Sequence, residues 1–457
     1  MIRPIHVTTA LGPALALLIF WVLYTPDQDS AIAFTAAITI WTAIWWIFEP
    51  IPIPATSLLP LALFPAVGVL TPTQVGAAYG SPLVLLLMGG FILSTAMERS
   101  GAHRRVALTM VNLFGGSSSK RLVFGFMAAA ALLSMWISNT ATTLMLLPVA
   151  MAVLEKAPDK TLAIPLLLGI AYASSIGGIG TPIGTPPNLV FQQVYAETVG
   201  NEIGFLTWMS WGVPVVLVFV PLTALWLTRR LNYQGSFVLP EVGKWQSAER
   251  RVLIVFALTA LAWVTRSQPF GGWSTFLNVP GINDAGVAML AVVVMFLVPD
   301  GRGERLLNWE SAAKIPWGML ILFGGGIAIA KAFVASGLSQ QLGIWLTQLA
   351  TLDLFLLILA ICLTITFMTE ITSNTATTTL MLPILAAAAL AAEIPPEVLM
   401  VPAAMSASCA FMLPVATAPN TIMFSTGAFP IRTMVKEGLA LNLIGALLIT
   451  SACRLLI

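Results

Sequence analysis

Charged residues are scarce in this chain. Asp, Glu, Lys and Arg make up 9% of its 457 residues, where an average soluble domain carries about 25%, so a water-exposed surface of this size cannot be built. Histidine is nearly missing, with only His6 and His103, which removes the usual material for a metal or acid–base centre. Cys362, Cys409 and Cys453 stand in apolar stretches without close pairing, and read as small buried hydrophobes rather than a disulfide or metal framework. Nor is there a dense basic tract: 21 basic residues against 19 acidic ones leave a net charge of +2, which excludes nucleic acid as the main partner. What the chain has in abundance is apolar side chains, 58% of the total, with a mean hydropathy of +0.93. It reads as an all-α polytopic membrane protein.

Apolar segments of spanning length fall near 8–24, 31–48, 52–70, 82–98, 161–195, 206–228, 252–266, 284–299, 316–335, 397–427 and 438–453. Arg3 followed by apolar residues 10–24 resembles a secretory signal, with Ala31-Ile32-Ala33 as its cleavage tripeptide. That tripeptide lies inside the next apolar segment, however, so residues 8–24 read as the first transmembrane helix. Two further apolar regions, 121–154 and 353–391, are too long for one helix, and each carries a Ser-Asn-Thr cluster at its middle. The arms flanking Ser138-Asn139-Thr140 run for roughly 14 to 16 residues, about 21–24 Å of helix, short of a hydrocarbon core of about 30 Å. They read as re-entrant hairpins.

The basic residues support this count. With a cytoplasmic N-terminus, eleven crossings and both hairpins returning to their own side, all 21 basic residues but Arg266, Lys331 and Arg454 fall inside. Were 121–154 a crossing, the run from Lys156 to Arg251 would flip outside, against the positive-inside rule. The first hairpin then enters from the cytoplasm and the second from the opposite face.

Self-comparison gives the strongest signal. Ile137-Ser138-Asn139-Thr140-Ala141-Thr142-Thr143 recurs as Thr372-Ser373-Asn374-Thr375-Ala376-Thr377-Thr378, at an offset of 235. Gly89-Gly90 recurs as Gly324-Gly325 at the same offset, and Gly184-Thr185-Pro186-Pro187-Asn188 recurs as Ala416-Thr417-Ala418-Pro419-Asn420 at 232. Because the hairpins enter from opposite faces, the repeats are inverted, the architecture of secondary transporters with a midplane site. The runs from Gly177 to Asn188 and from Pro414 to Asn420 cannot hold a continuous helix, since proline removes a donor and glycine favours unwinding. Each of these spans should be broken within the membrane beside a hairpin tip. A packing kink would explain one such run, but not two in the same order.

Breaks and tips expose helix ends. N-terminal ends present unpaired N–H groups and partial positive charge suited to a carboxylate or sulfate. Freed carbonyls with Ser, Thr and Asn oxygens suit a hard monovalent cation. No Arg or Lys stands near either motif, so a bound dianion would need cations as compensation, a physical reason to expect sodium coupling. Glu370 is the conspicuous charge near a motif. Its repeat counterpart is Met135, so it reads as a brace or cap of the hairpin rather than part of the symmetric site, with proton coupling the alternative. Lys331, Asp284 and Asp353 lie near span ends, and Trp41, Trp45 and Trp46 read as an interfacial belt.

The paired Ser-Asn-Thr motifs on hairpin tips, each followed by a break ending in Pro-Asn, resemble the divalent anion/sodium symporter family over essentially the whole chain. That resemblance implies a homodimeric elevator transporter of a bacterial inner membrane, with Na+ as coupling ion and no organic cofactor. The scaffold would comprise 1–120 and 250–336. The transport domain would comprise 121–230, with hairpin 121–154 and broken helix 161–195, and 353–457, with hairpin 353–391, broken helix 397–427 and the last helix. One sodium site would use Ser134, Ser138, Asn139 and the Gly184 carbonyl; the other would use Thr369, Thr372, Asn374 and the Ala416 carbonyl. Substrate would contact Asn139, Thr140, Thr185, Ser373, Asn374, Thr375 and Thr417. The second break reads Thr417-Ala418-Pro419, where some dicarboxylate carriers have a second proline.

The expected function is sodium-coupled import of C4-dicarboxylates such as succinate, malate and fumarate. A sodium-independent dicarboxylate exchanger and a sulfate or tricarboxylate carrier of the same fold stay open. A cation/proton antiporter would need paired intramembrane acids, of which Glu370 is the single candidate. A membrane enzyme would need a nucleophile with its base or a metal cluster, and the sequence offers neither.

Overall fold

A computed structural model describes residues 4–24, 30–114, 118–235, 237, 239, 241–267, 271–346 and 353–457; Arg3 lies outside them. The described residues form helices and no strand. The N-terminal part holds α1 (Pro4–Leu23), α2 (Ala31–Phe48), α3 (Ile53–Thr56), α4 (Leu59–Ala66) and α5 (Pro72–Tyr79). The first repeat continues with α6 (Pro82–Ser100), α7 (Ala102–Phe114), α8 (Ser119–Ser134), α9 (Asn139–Lys156), α10 (Ala163–Gly178), α11 (Pro186–Val199) and α12 (Phe205–Thr228). Between the repeats lie α13 (Ser247–Val264), α14 (Gly272–Phe276), α15 (Asp284–Leu297) and α16 (Trp309–Ala312). The second repeat holds α17 (Trp317–Ser336), α18 (Leu338–Leu346), α19 (Leu354–Thr369), α20 (Asn374–Ala391), α21 (Pro396–Ala407), α22 (Ala418–Phe424) and α23 (Ile431–Leu456).

The internal repeat of the sequence is a repeat of helices. α8 and α9 map onto α19 and α20 at an offset of 235 at both ends, and even their caps correspond: Ser118 and Asp353 start the outgoing arms, Ser138 and Ser373 the returning ones. The arms are 16 and 18 residues long, somewhat longer than expected from sequence yet still at most about 27 Å. Packing is exchanged between the repeats. α10 lies against α22 and α11 against α21, while α9 touches α22 and α20 touches α11. The first half of each broken span thus meets the second half of the other, as two antiparallel spans broken at one level must.

Seven helical runs are long and apolar enough to cross a membrane, and four shorter apolar ones accompany them. Leu258, Leu261, Leu290 and Leu297 are more than half exposed, an outward apolar face that only hydrocarbon or another protein surface would cover. The chain is therefore a multi-pass membrane protein.

Two expectations are corrected here. Residues 52–70 are not one continuous helix but α3 and α4, four and eight residues long, because Pro60, in the first turn of α4, has no N–H to continue the ladder from α3. The carbonyl freed at Ser57 is taken by the Tyr79 hydroxyl. Trp46 is not part of an interfacial belt: it is fully buried and donates through Nε1 to Ser57 Oγ at 2.9 Å. The charges near span ends are paired or used as caps. Arg266 meets Asp284 at 2.6 Å, Lys331 meets Glu197 of α11 at 3.2 Å, and Asp353 caps α19.

Candidate functional site

Both hairpin tips are built the same way. Ser138 Oγ accepts from Ala141 N–H at 3.1 Å and Ser373 Oγ from Ala376 N–H at 3.2 Å, each an N-cap that starts the returning arm. In the first tip Ser134 Oγ donates to Asn139 Oδ1 at 2.5 Å; in the second Thr369 Oγ1 donates to Asn374 Oδ1 at 2.7 Å. The outgoing arm thereby fixes the amide that begins the returning one. Asn139, Thr140, Asn374 and Thr375 occupy first-turn positions whose N–H groups have no intrahelical acceptor.

The two breaks share one device that the sequence motif contains but does not explain. Asn188 Nδ2 donates to the carbonyls of Gly178 at 2.9 Å and Thr181 at 2.7 Å. Asn420 Nδ2 donates to those of Ala410 at 2.9 Å and Leu413 at 3.0 Å. All three positions correspond at the offset of 232, so the Pro-Asn asparagine clips together the carbonyls that unwinding frees. A glycine of the following helix lies against each break: a Cβ on Gly212 would come within 2.5 Å of the Ile179 carbonyl oxygen, and one on Gly438 within 2.2 Å of that of Phe411. The same carbonyls accept from Trp208 Nε1 and the Tyr172 hydroxyl, each at 2.8 Å.

The breaks differ in where their N–H groups go. The first is glycine-rich and turns on itself, with Gly180 and Gly184 N–H bonded to Gly177 and Thr181 carbonyls. The second, from Ser408 to Leu413, contains no glycine and stays open. Its donors go to Glu370: Phe411 and Met412 N–H to Oε1 at 2.7 and 2.9 Å, Leu413 N–H to Oε2 at 3.0 Å. Asn442 Nδ2 of α23 adds a fourth bond at 2.8 Å. Glu370 is 3% exposed and faces the backbone rather than the cavity, bracing the second break and α23 where the sequence suggested a brace or cap of the hairpin.

Tips and breaks meet around a cavity of about 620 Å³. Asn139, Thr140, Thr185, Ser373, Asn374, Thr375 and Thr417 all line it, as do Ser138, Gly184 and Ala416. Leu87, Gly90, Phe91 and Ser94 of α6, with Pro316 and Met319 at the start of α17, add to the wall. Ser134 and Thr369 stand behind the tip asparagines. Thr372 does not line the cavity; its hydroxyl bonds the Met368 carbonyl at 2.8 Å and Thr377 Oγ1 at 2.5 Å.

Four helix N-termini, those of α9, α11, α20 and α22, converge here, and no Lys, Arg or His lines the cavity among the described residues. The α11 and α22 starts carry Pro186, Pro187 and Pro419, which have no N–H to offer. The tips therefore supply most of the N–H donors, to which α22 adds that of Ala418, whereas the breaks supply mainly hydroxyls and carbonyls. Converging helix ends suit an anion; the neighbouring carbonyl, amide and hydroxyl oxygens suit a hard cation.

A family model described as citrate transporter (CitMHS) matches residues 43–401. The sodium-dependent dicarboxylate transporter SdcS of Staphylococcus aureus is 41% identical over 464 residues, covering 96% of this chain and 88% of that protein. Its namesake from Staphylococcus saprophyticus is 42% identical over 466 residues, covering 96% and 89%. Among solved structures, the crystal structure of the Alcanivorax borkumensis YdaH transporter matches with a TM-score of 0.59 at 15% identity, over 98% of this chain and 97% of that one, a likeness of fold.

Proposed function

This chain belongs to the citrate transporter family, among the divalent anion/sodium symporters, and from that premise we propose that it is a sodium-coupled importer of C4-dicarboxylates such as succinate, malate and fumarate. The observation that carries the proposal is the convergence of four helix N-termini on a cavity free of basic side chains. A dicarboxylate held by dipoles, amides and hydroxyls alone needs its charge compensated from another source, and sodium ions on the adjoining oxygens supply it. The names of the curated relatives, at 41 to 42% identity, support both the ion and the substrate class.

In this reading one sodium ion takes Ser134, Ser138, Asn139 and the Gly184 carbonyl, and the other Thr369, Thr372, Asn374 and the Ala416 carbonyl. Since the Thr372 hydroxyl is bonded elsewhere, the contribution of Thr372 would come from its main chain. The substrate takes Asn139, Thr140 and Thr185 on one side, and Ser373, Asn374, Thr375 and Thr417 on the other. A tenfold sodium gradient supplies about 1.4 kcal/mol per ion, so two ions with one dianion would sustain roughly hundredfold accumulation without net charge movement. The hairpins and broken spans (121–230 and 353–457) would move as one transport body against a scaffold (1–120 and 250–336) in a homodimer of the inner membrane, with the N-terminus in the cytoplasm.

The test is uptake of labelled succinate into proteoliposomes, with and without an inward sodium gradient and with no internal dicarboxylate. Sodium-dependent accumulation is expected. Uptake only against internal unlabelled dicarboxylate would make the protein an exchanger and overturn the coupling. Sodium-driven uptake of citrate but not succinate, the outcome that the description of the family model favours, would move the substrate to a tricarboxylate.

A further inference from the structure

A second cavity, of about 650 Å³, opens at the opposite end of α12 from its first residue, between the end of α12, the turn before α10 and the start of α23. Five cationic side chains line it, Lys160, Arg229, Arg230, Arg432 and Lys436, with a single acid, Glu437. Arg229 is committed: it pairs with Glu437 at 2.8 Å and lies over the Trp226 ring at 4.1 Å. The other four are exposed and make no ion pair among the described residues. Below them the wall is apolar, formed by Ile164, Pro165, Leu227 and Leu231. One turn before Arg229, Leu225 is 68% exposed on the outer surface of α12, which sets the cavity mouth about 6 Å from hydrocarbon-facing side chains.

We propose that this cavity binds the phosphate headgroup of an anionic phospholipid, with the acyl chains leaving along the apolar wall beside α12. The general excess of basic residues on one membrane face accounts for cations at this end of the bundle. It does not account for four uncompensated ones, from three separate elements, arranged around one concavity with a greasy floor. Basic pockets between membrane helices recognise lipid headgroups by this combination. A free phosphate would use the same cations but would leave the apolar wall without an occupant.

The full-length protein, reconstituted into vesicles of equal phosphatidylglycerol and phosphatidylcholine and released for native mass spectrometry, should retain phosphatidylglycerol in preference. Neutralising Arg230→Gln with Arg432→Gln should weaken that retention about fivefold per cation removed, and so should the independent pair Lys160→Gln with Lys436→Gln. The control Arg302→Gln with Lys314→Gln, elsewhere on the basic surface, should leave it unchanged. Equal retention of both lipids by the unmodified protein, or undiminished retention by both cavity variants, would overturn the proposal. Displacement of the bound lipid by millimolar inorganic phosphate would overturn it too, assigning the cavity to the free ion.

Discussion

Asn442 donates to Glu370 across 72 positions of sequence, joining the last helix to the second hairpin through one buried carboxylate. The same carboxylate collects three consecutive backbone N–H groups of the second break. One side chain thus ties three elements together behind the cavity, and it does so in one repeat only. The first break, rich in glycine, satisfies its own donors; the second has no glycine to turn with and borrows an acceptor. The inverted halves are alike in architecture while differing in how the unwound backbone is satisfied.

Removing that acceptor should be costly. Glu370→Ala leaves three main-chain donors without their acceptor, on the order of 1–3 kcal/mol for the buried Phe411 N–H and less for the part-buried ones of Met412 and Leu413, and should lower the melting temperature and the yield of folded protein. Glu370→Gln retains one acceptor oxygen but turns an NH2 toward another donor, so an intermediate loss is expected. Thermal unfolding in detergent separates the cases. If Glu370→Ala melts with the unmodified protein, the brace is not holding the break.

The tip asparagines face the opposite test. Asn139→Ala and Asn374→Ala each remove an amide oxygen that the outgoing arm fixes through Ser134 or Thr369. Each should abolish sodium-dependent uptake while leaving melting within a few degrees of normal. The residues are only half-buried and the N-cap serines remain. Normal uptake by either variant would sink the site assignment.

Thr140 and Thr375 are the third members of the two motifs, and their hydroxyls lie on the substrate side in the proposed arrangement. Thr140 is exposed to the cavity, whereas Thr375 is buried at 4% exposure. Valine in either place keeps the shape and removes the hydroxyl. The apparent substrate affinity should fall roughly tenfold, a loss of about 1.4 kcal/mol, with the sodium dependence nearly unchanged. Equal losses for both ligands would mean that the two sets of residues are misassigned.

Much of this was legible in the sequence because the constraints are local. An N-cap needs a Ser at the start of the returning arm, a break needs prolines or glycines, and a repeat shows both at one offset. What was not legible required partners far away. Glu370 is a lone acid in an apolar run, and nothing nearby announces that its donors lie about 40 and 72 positions ahead. Residues 52–70 read as a span because average hydropathy does not register four prolines. Composition alone puts Trp46 in a belt, while its burial follows from the short helices folding back over it.

Asn188 and Asn420 belong to both cases, since the motif displays them but only the fold gives them work. Each bridges two carbonyls three positions apart with its NH2 group, and each is completely buried. Asp in either place keeps the outline and replaces the double donor by an acceptor facing two acceptors. Asn188→Asp and Asn420→Asp should therefore destabilise by on the order of 2–4 kcal/mol and remove uptake together with it. The two losses should match, because the bridged positions correspond in the two repeats. A well-folded, active Asp variant at either position would show that the break is held by its prolines and its neighbouring glycine contact alone. The clip would then be a consequence of the break rather than a cause.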